Sequence, residues 1–585
     1  MEPQTQAEVR QPRGTGGRLP ALLLRWLAVG YGVVLLSMLA GRISAERIPF
    51  DTDEADHACA AIEVYTAVAR ADAAQIYRSI VRQAFYAPVH SFVVAASYAI
   101  AGPSLASSRM PNVVLLGVFA ALLTVATHRA IRRVMPATSP PWVSVGASAA
   151  LSLALSSPMM VVNAVLCMLE MTGCVIVTLI LLVLIRLETG GCDGMARSRL
   201  AVLGVLFVFV TLTKYNFGLI LFPAAVAGFL SGPGGVKAAA RRLIDLAWLL
   251  PVFVVPLVAW FLIADRYPAL YFFTVPREFV PLWSFQNLTY YPGALVTKYA
   301  LNPVVGVVVL ALAALAAVRH WRSLTARVAT WSVLIALFVM TASRTPVERH
   351  IMIVMPGFWL LAGLGLVTLV SLLAERRPAI AFLPGACVLG FFLLVSVSLA
   401  ARVRSFPGEI TREMEGEPAF SDMLDFIAGH VDLHRPLLLI GVFDQFGPEL
   451  VSWDIARRTG ALYTEVRVDD YPFIPWREEY KRGWNKNLDR PYVDPSFPRE
   501  PLEAVARTRY YAYAVDILRS DRPVDAQAAG PGASVRFVQR RAGEWLPAEN
   551  PLGKGNVLRS RLAAVRSFGF WHLFVYDLRS AGAKP

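Results

Sequence analysis

The run Phe50-Asp51-Thr52-Asp53-Glu54-Ala55-Asp56-His57 follows the first long apolar stretch of the chain, Leu19 to Ala40. Four carboxylates within six residues cannot lie in hydrocarbon, so they must sit in water at a membrane face. Beyond them, Ala55, Ala58, Ile62, Tyr65 and Ala69 recur at three- and four-residue steps. That spacing predicts an amphipathic helix over Glu54 to Arg70. Tied to a membrane span, such a helix is expected to lie flat on the surface with its acidic start over whatever opens there. A plainer reading is an acidic first turn that complements the helix macrodipole, with Asp53 as its N-cap.

The rest of the composition fits a polytopic membrane protein with a soluble part. Of 585 residues, 56% are hydrophobic and only 17% charged. The net charge of +14 is scattered over short connections between apolar stretches, where Lys and Arg orient a chain in a bilayer. Nucleic acid is therefore not an expected partner. Cys59, Cys167, Cys174, Cys192 and Cys387 all precede the final soluble region, so no disulfide framework holds that region together. Leu19 to Ala40 is long for a signal-peptide core and no clear small-residue cleavage site follows, which makes it a retained first span.

Basic residues then set the topology. The tail 1–18 carries Arg10, Arg13 and Arg18 and is expected in the cytoplasm, which places the loop 42–84 outside. Further apolar stretches run over 85–101, 109–128, 142–157, 159–187, 199–213, 215–231, 243–264, 296–318, 328–342, 350–373 and 378–401. The clusters Arg129/Arg132/Arg133, Arg197/Arg199, Lys237/Arg241/Arg242, Arg319/Arg322/Arg327 and Arg376/Arg377 all fall on the cytoplasmic side if 85–101 does not cross. That segment is short and interrupted by Pro88. The count is about eleven spans in a membrane domain 19–401, with 402–585 extracytoplasmic. Within 402–585, helices are expected over Phe420 to Gly429 and Pro448 to Arg458, the second stopped by Gly460. Strands are expected over Pro436 to Phe443, Tyr510 to Val515, Ser534 to Gln539 and His572 to Tyr576, which makes a small α/β domain. Residues 470–500 read as a surface insertion. Gly441 and Gly447 are too far apart for a phosphate loop, and the domain shows no catalytic constellation. It reads as a lid, an acceptor platform or a structural element.

The same topology sends a set of charges to the outer face. Glu170 follows the Ser157-Pro158 break, and Lys214 and Tyr215 lie in Leu212-Thr213-Lys214-Tyr215-Asn216. Arg277 and Glu278 sit in the aromatic loop 265–295, and Arg344, Glu348, Arg349 and His350 form one more group. Singly, each reads as a snorkelling or interfacial residue. Together, charges at membrane depth that share one face mark a polar cavity.

Several short motifs lie in order along the same stretch. They are Asp53-Glu54-Ala55, Tyr86-Ala87-Pro88-Val89-His90, Gly102-Pro103-Ser104, Ser108-Arg109-Met110-Pro111, Leu212-Thr213-Lys214-Tyr215, and Glu348-Arg349-His350 with Pro356. Over roughly residues 20–400 the order and spacing of these motifs resemble the GT-C membrane glycosyltransferases. The branch resembled contains protein O-mannosyltransferases, lipid A aminoarabinose transferases and bacterial homologues acting on lipopolysaccharide. The chain departs from the pattern where Ala87-Pro88 stands for a family Pro-Pro, and where Glu170 stands for a family Asp. The final domain matches only in kind.

The resemblance implies transfer of a sugar from a polyprenyl-phosphate carrier to a glycan, glycolipid or protein acceptor at the outer face of the cell membrane. An oxocarbenium-like transition state needs a carboxylate to activate the attacking hydroxyl, which would be Asp53 or Glu54. The departing phosphate needs positive charge. Lys214 and Arg349 fit that need, with Tyr215 and with His350 or Arg344 in support. Asp56, His57, His90 and Glu170 are expected in supporting positions. His57 and Cys59 lie two apart on a helix and diverge, so no metal site is read there, although a divalent cation remains an option. Two other classes share the composition. A secondary transporter should show internal repeats, and none is found. A non-enzymatic envelope assembly protein would not need the Lys and Arg pair.

Overall fold

The computed structural model describes residues 18–45, 50, 52–81, 87–189, 194–263, 284–341, 347–376, 390, 420–440, 447–463, 465–471, 511–519, 537–541, 544–548, 562–568 and 571–579. The chain opens with a long apolar helix, α1 (Arg18–Ala45), followed by three shorter ones: α2 (Thr52–Ala69), α3 (Ala73–Val81) and α4 (Val89–Ala101). Then come α5 (Leu105–Val134), α6 (Pro140–Leu155), α7 (Pro158–Val165), α8 (Glu170–Thr189), α9 (Gly194–Thr211) and α10 (Tyr215–Leu230). The helical part closes with α11 (Gly235–Ala247), α12 (Leu249–Ile263), α13 (Phe285–Thr297), α14 (Pro303–Arg319), α15 (Leu324–Thr341), a 3₁₀ turn Glu348–Val354, and α16 (Met355–Arg376).

Among the described residues, five helices are long and apolar enough to cross a membrane: α1, α5, α8, α15, and the 3₁₀ turn with α16. The number rises to seven if two bent pairs each count as one span. One is α6–α7, bent by 59° at the Ser157-Pro158 break; the other is α11–α12, bent by 48°. Helix α4 has 13 residues. It rises about 20 Å, short of the roughly 30 Å of a hydrocarbon core. The stretch 378–401, expected as the last span, lies outside the described residues except for Gly390. Local chemistry places the starts. Ser104 and Ser107 form a reciprocal cap at the head of α5, and the Asn302 side chain accepts from the Val305 N–H at the head of α14, with Pro303 first in the helix. Close packing uses small residues: a Cβ on Gly146 or Gly363 would come within 3 Å of the other's carbonyl oxygen, so α6 and α16 touch backbone to backbone.

The soluble region holds α17 (Phe420–His430), β1 (Leu437–Ile440), α18 (Pro448–Thr459), β2 (Val468–Tyr471), β3 (Tyr513–Arg519), β4 (Phe537–Arg541), β5 (Glu544–Ala548), β6 (Leu562–Phe568) and β7 (Trp571–Asp577). One sheet runs β2-β1-β3-β7-β6, and β4 and β5 form a separate hairpin. β1 pairs parallel to β2 and β3, whereas β3–β7 and β7–β6 are antiparallel, so the sheet is mixed. The apolar strand expected over Pro436 to Phe443 is found as Leu437–Ile440, fully buried between β2 and β3. Helix α18 ends as expected at Gly460, which takes the left-handed conformation with φ of +66°. β2, β5 and β6 are additions to the expected set. Most of the insertion expected over 470–500 lies outside the described residues.

One expectation needs correction. Helix α2 does not lie flat with one open face. It is buried on almost every side, between α4 and α18 of the soluble region. Phe50, Ala58, Ala61 and Ile62 share one apolar core with Tyr98, Trp453 and Ile455. The reason is composition. Besides the periodic stripe, α2 carries Ala60, Ala61 and Ala67, whose small side chains let a second layer approach the other faces. Periodicity alone registers the stripe and misses the second partner.

Candidate active site

Two carboxylate sites form at the first turn of α2. Glu54 turns inward to Arg109 of α5, which donates to it from Nε at 2.9 Å and from Nη2 at 2.8 Å. The Cys167 backbone N–H donates to the same carboxylate at 2.6 Å. The segment carrying Cys167, between α7 and α8, is held by Asn112, whose Nδ2 donates to the carbonyls of Leu166 and Met168 at 2.5 and 2.6 Å. Arg109 and Asn112 lie three apart on α5 and so on one face, which makes this a single brace. The Arg109 guanidinium also sits over the Phe50 ring at 5.4 Å, and Phe50 packs edge-on to Trp453 at 4.9 Å. Side-chain exposure is 4% for Arg109 and 1% for Glu54, so the pair is sealed.

Asp53, one residue earlier, faces the other way. It pairs with Arg349 of the 3₁₀ turn. Arg349 Nε lies 3.8 Å from Glu170 Oε1, and Lys214 Nζ donates to that oxygen at 2.7 Å. The result is a chain of charges, Asp53–Arg349–Glu170–Lys214. Glu170 at its centre is buried, while Asp53, Arg349 and Lys214 keep 31%, 25% and 18% of their side chains exposed. The network therefore has a dry floor and an open rim.

The elements that bring these residues together have one feature in common. Asp53 lies in the first turn of α2, Glu170 is the first residue of α8, Lys214 is the N-cap of α10, and Arg349 is the second residue of the 3₁₀ turn. Four helix starts converge, and the positive ends of their backbone dipoles add to two cations. Two buried tyrosines brace the 3₁₀ turn. Tyr299 donates from its hydroxyl to the Glu348 carbonyl at 2.8 Å, and the Val347 N–H donates to the Tyr291 hydroxyl at 3.2 Å.

The other expected residues are placed as follows. His57 is buried beside the network, its ring edge-on to that of His90 at 5.5 Å. Burial drives its pKa down to about 4, against the opposing pull of the Asp53 carboxylate. His90 Nδ1 lies 2.9 Å from Thr172 Oγ1 on α8. Asp56 is buried on α2, and His350 follows Arg349 in the same turn. Tyr215 turns to α12, where its hydroxyl accepts from Trp260 Nε1 at 3.1 Å and its ring meets Phe261. Cys59 donates from Sγ to the Glu449 carbonyl at 3.3 Å. Asp53 is not the residue before the helix, which begins at Thr52. Arg277, Glu278 and Arg344 lie outside the described residues. Among the described residues no group of three or more His, Cys, Asp and Glu gathers around one point.

Arg109 lies in Ser108-Arg109-Met110-Pro111, but its spacing does not mark Glu54 as its partner, and no sequence pattern marks Asn112 or Trp453. Arg109 carried a usable signal, because an arginine in a 30-residue apolar helix needs a counter-charge. Trp453 carried none.

No protein-family model matches the chain, and no curated protein matches it. Solved structures do. ArnT from Cupriavidus metallidurans bound to undecaprenyl phosphate aligns with a TM-score of 0.52 at 15% identity, covering 98% of this chain and 100% of that one. The same protein in its apo state aligns with a TM-score of 0.55 at 15% identity, over 95% and 98% of the two chains. The chain thus has the GT-C fold, a polytopic helical membrane part with a small appended sheet domain.

Proposed function

We propose that this protein is an integral membrane glycosyltransferase that moves a sugar from a polyprenyl-phosphate carrier to an acceptor hydroxyl at the outer face of the membrane. The observation that carries the reading is the chain Asp53–Arg349–Glu170–Lys214 at four converging helix starts. Two cations among N-terminal helix ends suit a phosphate. That the ArnT structure sharing this fold holds undecaprenyl phosphate supports the same carrier class here.

In this reading Asp53 is the base and Glu54 is not. Glu54 is sealed and triply bonded, so it positions α2 instead. Arg349 pairs with Asp53 until a donor phosphate takes the guanidinium, which leaves the Asp53 carboxylate to receive the acceptor proton. The acceptor oxygen then bonds the anomeric carbon as the bond from that carbon to the phosphate oxygen breaks. The carrier departs as a phosphate with one more negative charge, which Lys214 and Arg349 stabilise. Buried Glu170 holds both cations in register. His57, His90 and His350 form the floor of the site. Any divalent cation would have to be held by partners other than a ready-made cluster among the described residues.

The chain divides in this reading into a tail over 1–18, a transferase domain over 19–401 and an extracytoplasmic domain over 402–585. The last is packed onto α2 and so belongs to the working unit. The purified chain in nanodiscs, given a panel of polyprenyl-phosphate sugars and an extract of envelope acceptors, should release polyprenyl phosphate with transfer of the sugar. Absence of release with every donor, while the folded protein retains its donor, would sink the proposal.

A further inference from the structure

Helix α10 starts at Lys214 in the site and runs away from it for 16 residues, about 24 Å. Five residues after its end begins α11, so α11 lies at the end of α10 remote from the ionic network. Its sequence carries Lys237, Arg241 and Arg242 against one carboxylate residue, Asp245. The inner side of the helix is fixed. Leu246 is buried, and Arg242 is half-buried and donates to the carbonyls of Phe229 and Pro233 at the end of α10. The outward side is apolar. Val236, Leu243 and Ile244 fall on one face at helical spacing and are 86%, 55% and 64% exposed. Lys237 and Arg241 flank that face and are exposed. At the bend into α12, exposed Trp248 carries the Arg197 guanidinium over its ring at 4.8 Å.

We propose that α11 is an interfacial helix that binds anionic phospholipid headgroups at the membrane face opposite the site. An exposed apolar stripe edged by cations fits the acyl boundary and the phosphates of one leaflet at once. The Trp248–Arg197 pair suits the same depth, where an amphipathic ring and a cation both find partners. The 48° bend turns α11 out of line with α12, so the two need not be read as one straight span. Binding of a soluble protein would leave the apolar stripe needing cover by that protein alone, whereas charge and stripe together match lipid. The inference is independent of the transferase reading.

The test is lipid retention. The full chain is reconstituted in nanodiscs of phosphatidylcholine with a minority of phosphatidylglycerol, extracted, and examined by native mass spectrometry. Phosphatidylglycerol should be retained in preference to phosphatidylcholine, and salt should weaken the preference. Lys237→Gln and Arg241→Gln should each lower it roughly fivefold, the ratio given by about 1 kcal/mol for each cation near an anionic surface. Both residues are exposed, so the variants should fold, and a normal melting temperature checks this. Arg435→Gln in the soluble region should leave retention unchanged. Equal retention of the two lipids, no change in either Lys237→Gln or Arg241→Gln, or the same loss in Arg435→Gln would each overturn the proposal.

Discussion

The pocket around Glu54 and the network around Asp53 are built from adjacent residues of α2, yet they differ in almost every physical respect. Glu54 has a bidentate arginine and a backbone N–H, and water is excluded from it. Asp53 shares its arginine with Glu170 and remains at an open rim. A sealed ion pair stabilises geometry, because removing one partner leaves a buried charge uncompensated. An open, shared pair can change partners when a new anion arrives. Residue type does not decide between these roles; what decides is which way each side chain leaves the first turn of the helix.

Amide replacement separates the two carboxylates. Asp53→Asn should lower transfer by about 10²–10⁴-fold with folding and donor binding intact, as loss of a general base does. Turnover assays of the purified variant decide this, and near-normal rates would remove Asp53 from the chemistry. Glu54→Gln should behave oppositely. It leaves Arg109 buried without a counter-charge, so stability should fall by about 3–5 kcal/mol, seen as a lower melting temperature and poor yield. The fraction that folds should turn over normally. A well-folded but dead Glu54→Gln would exchange the two roles.

Cation removal sharpens the same contrast. Arg349→Ala or Lys214→Ala should raise the barrier by about 2–4 kcal/mol, as loss of a charge that meets a developing anion does. Donor binding should weaken less than kcat. Trp453→Phe should cost about 1 kcal/mol of stability. It keeps the ring against Phe50 but loses the bond from Nε1 to the Tyr98 hydroxyl at 3.2 Å. Chemical denaturation of the detergent-solubilised chain reads that change, and a double-mutant cycle with Tyr98→Phe, which also removes the 2.6 Å bond to Ser108 Oγ, isolates this one bond.

The smallest effect concerns pH. Burial holds His57 down to about 4, whereas in the unfolded chain it titrates near its ordinary value of about 6.5. Above that value both states are neutral and His57 contributes no slope. As pH falls from about 6.5 toward 4, the unfolded chain takes a proton that the folded chain refuses, so stability declines. Melting temperatures across that window should fall with a slope that His57→Gln reduces. An unchanged slope would mean that the floor beside Asp53 is wetter than its burial indicates.

The soluble region touches this comparison directly. Arg70, at the end of α2, pairs with Glu465 at 3.2 Å and donates to the Gly460 carbonyl at 2.9 Å. With the Trp453–Phe50 contact, this clamps α2 at both ends. A lid would be expected to rest over the site, but this domain holds the helix that carries Asp53. Nothing along the chain marks that role, because Trp453, Glu465 and Gly460 are distant from α2 and ordinary in kind.

Composition and the basic clusters were enough to identify a polytopic chain, and charges at membrane depth put Asp53, Glu170, Lys214 and Arg349 within a larger set expected at one face. Both readings rest on solvation, which acts on each residue by itself: hydrocarbon rejects a charge wherever the chain places it. Tertiary structure alone decided that Glu54 is sealed on Arg109, that Tyr215 turns to α12, and that α2 is buried between two layers. These outcomes depend on the direction of a side chain from its helix and on partners up to several hundred residues away. Pairing is a property of two surfaces at once, and a linear pattern records only one of them.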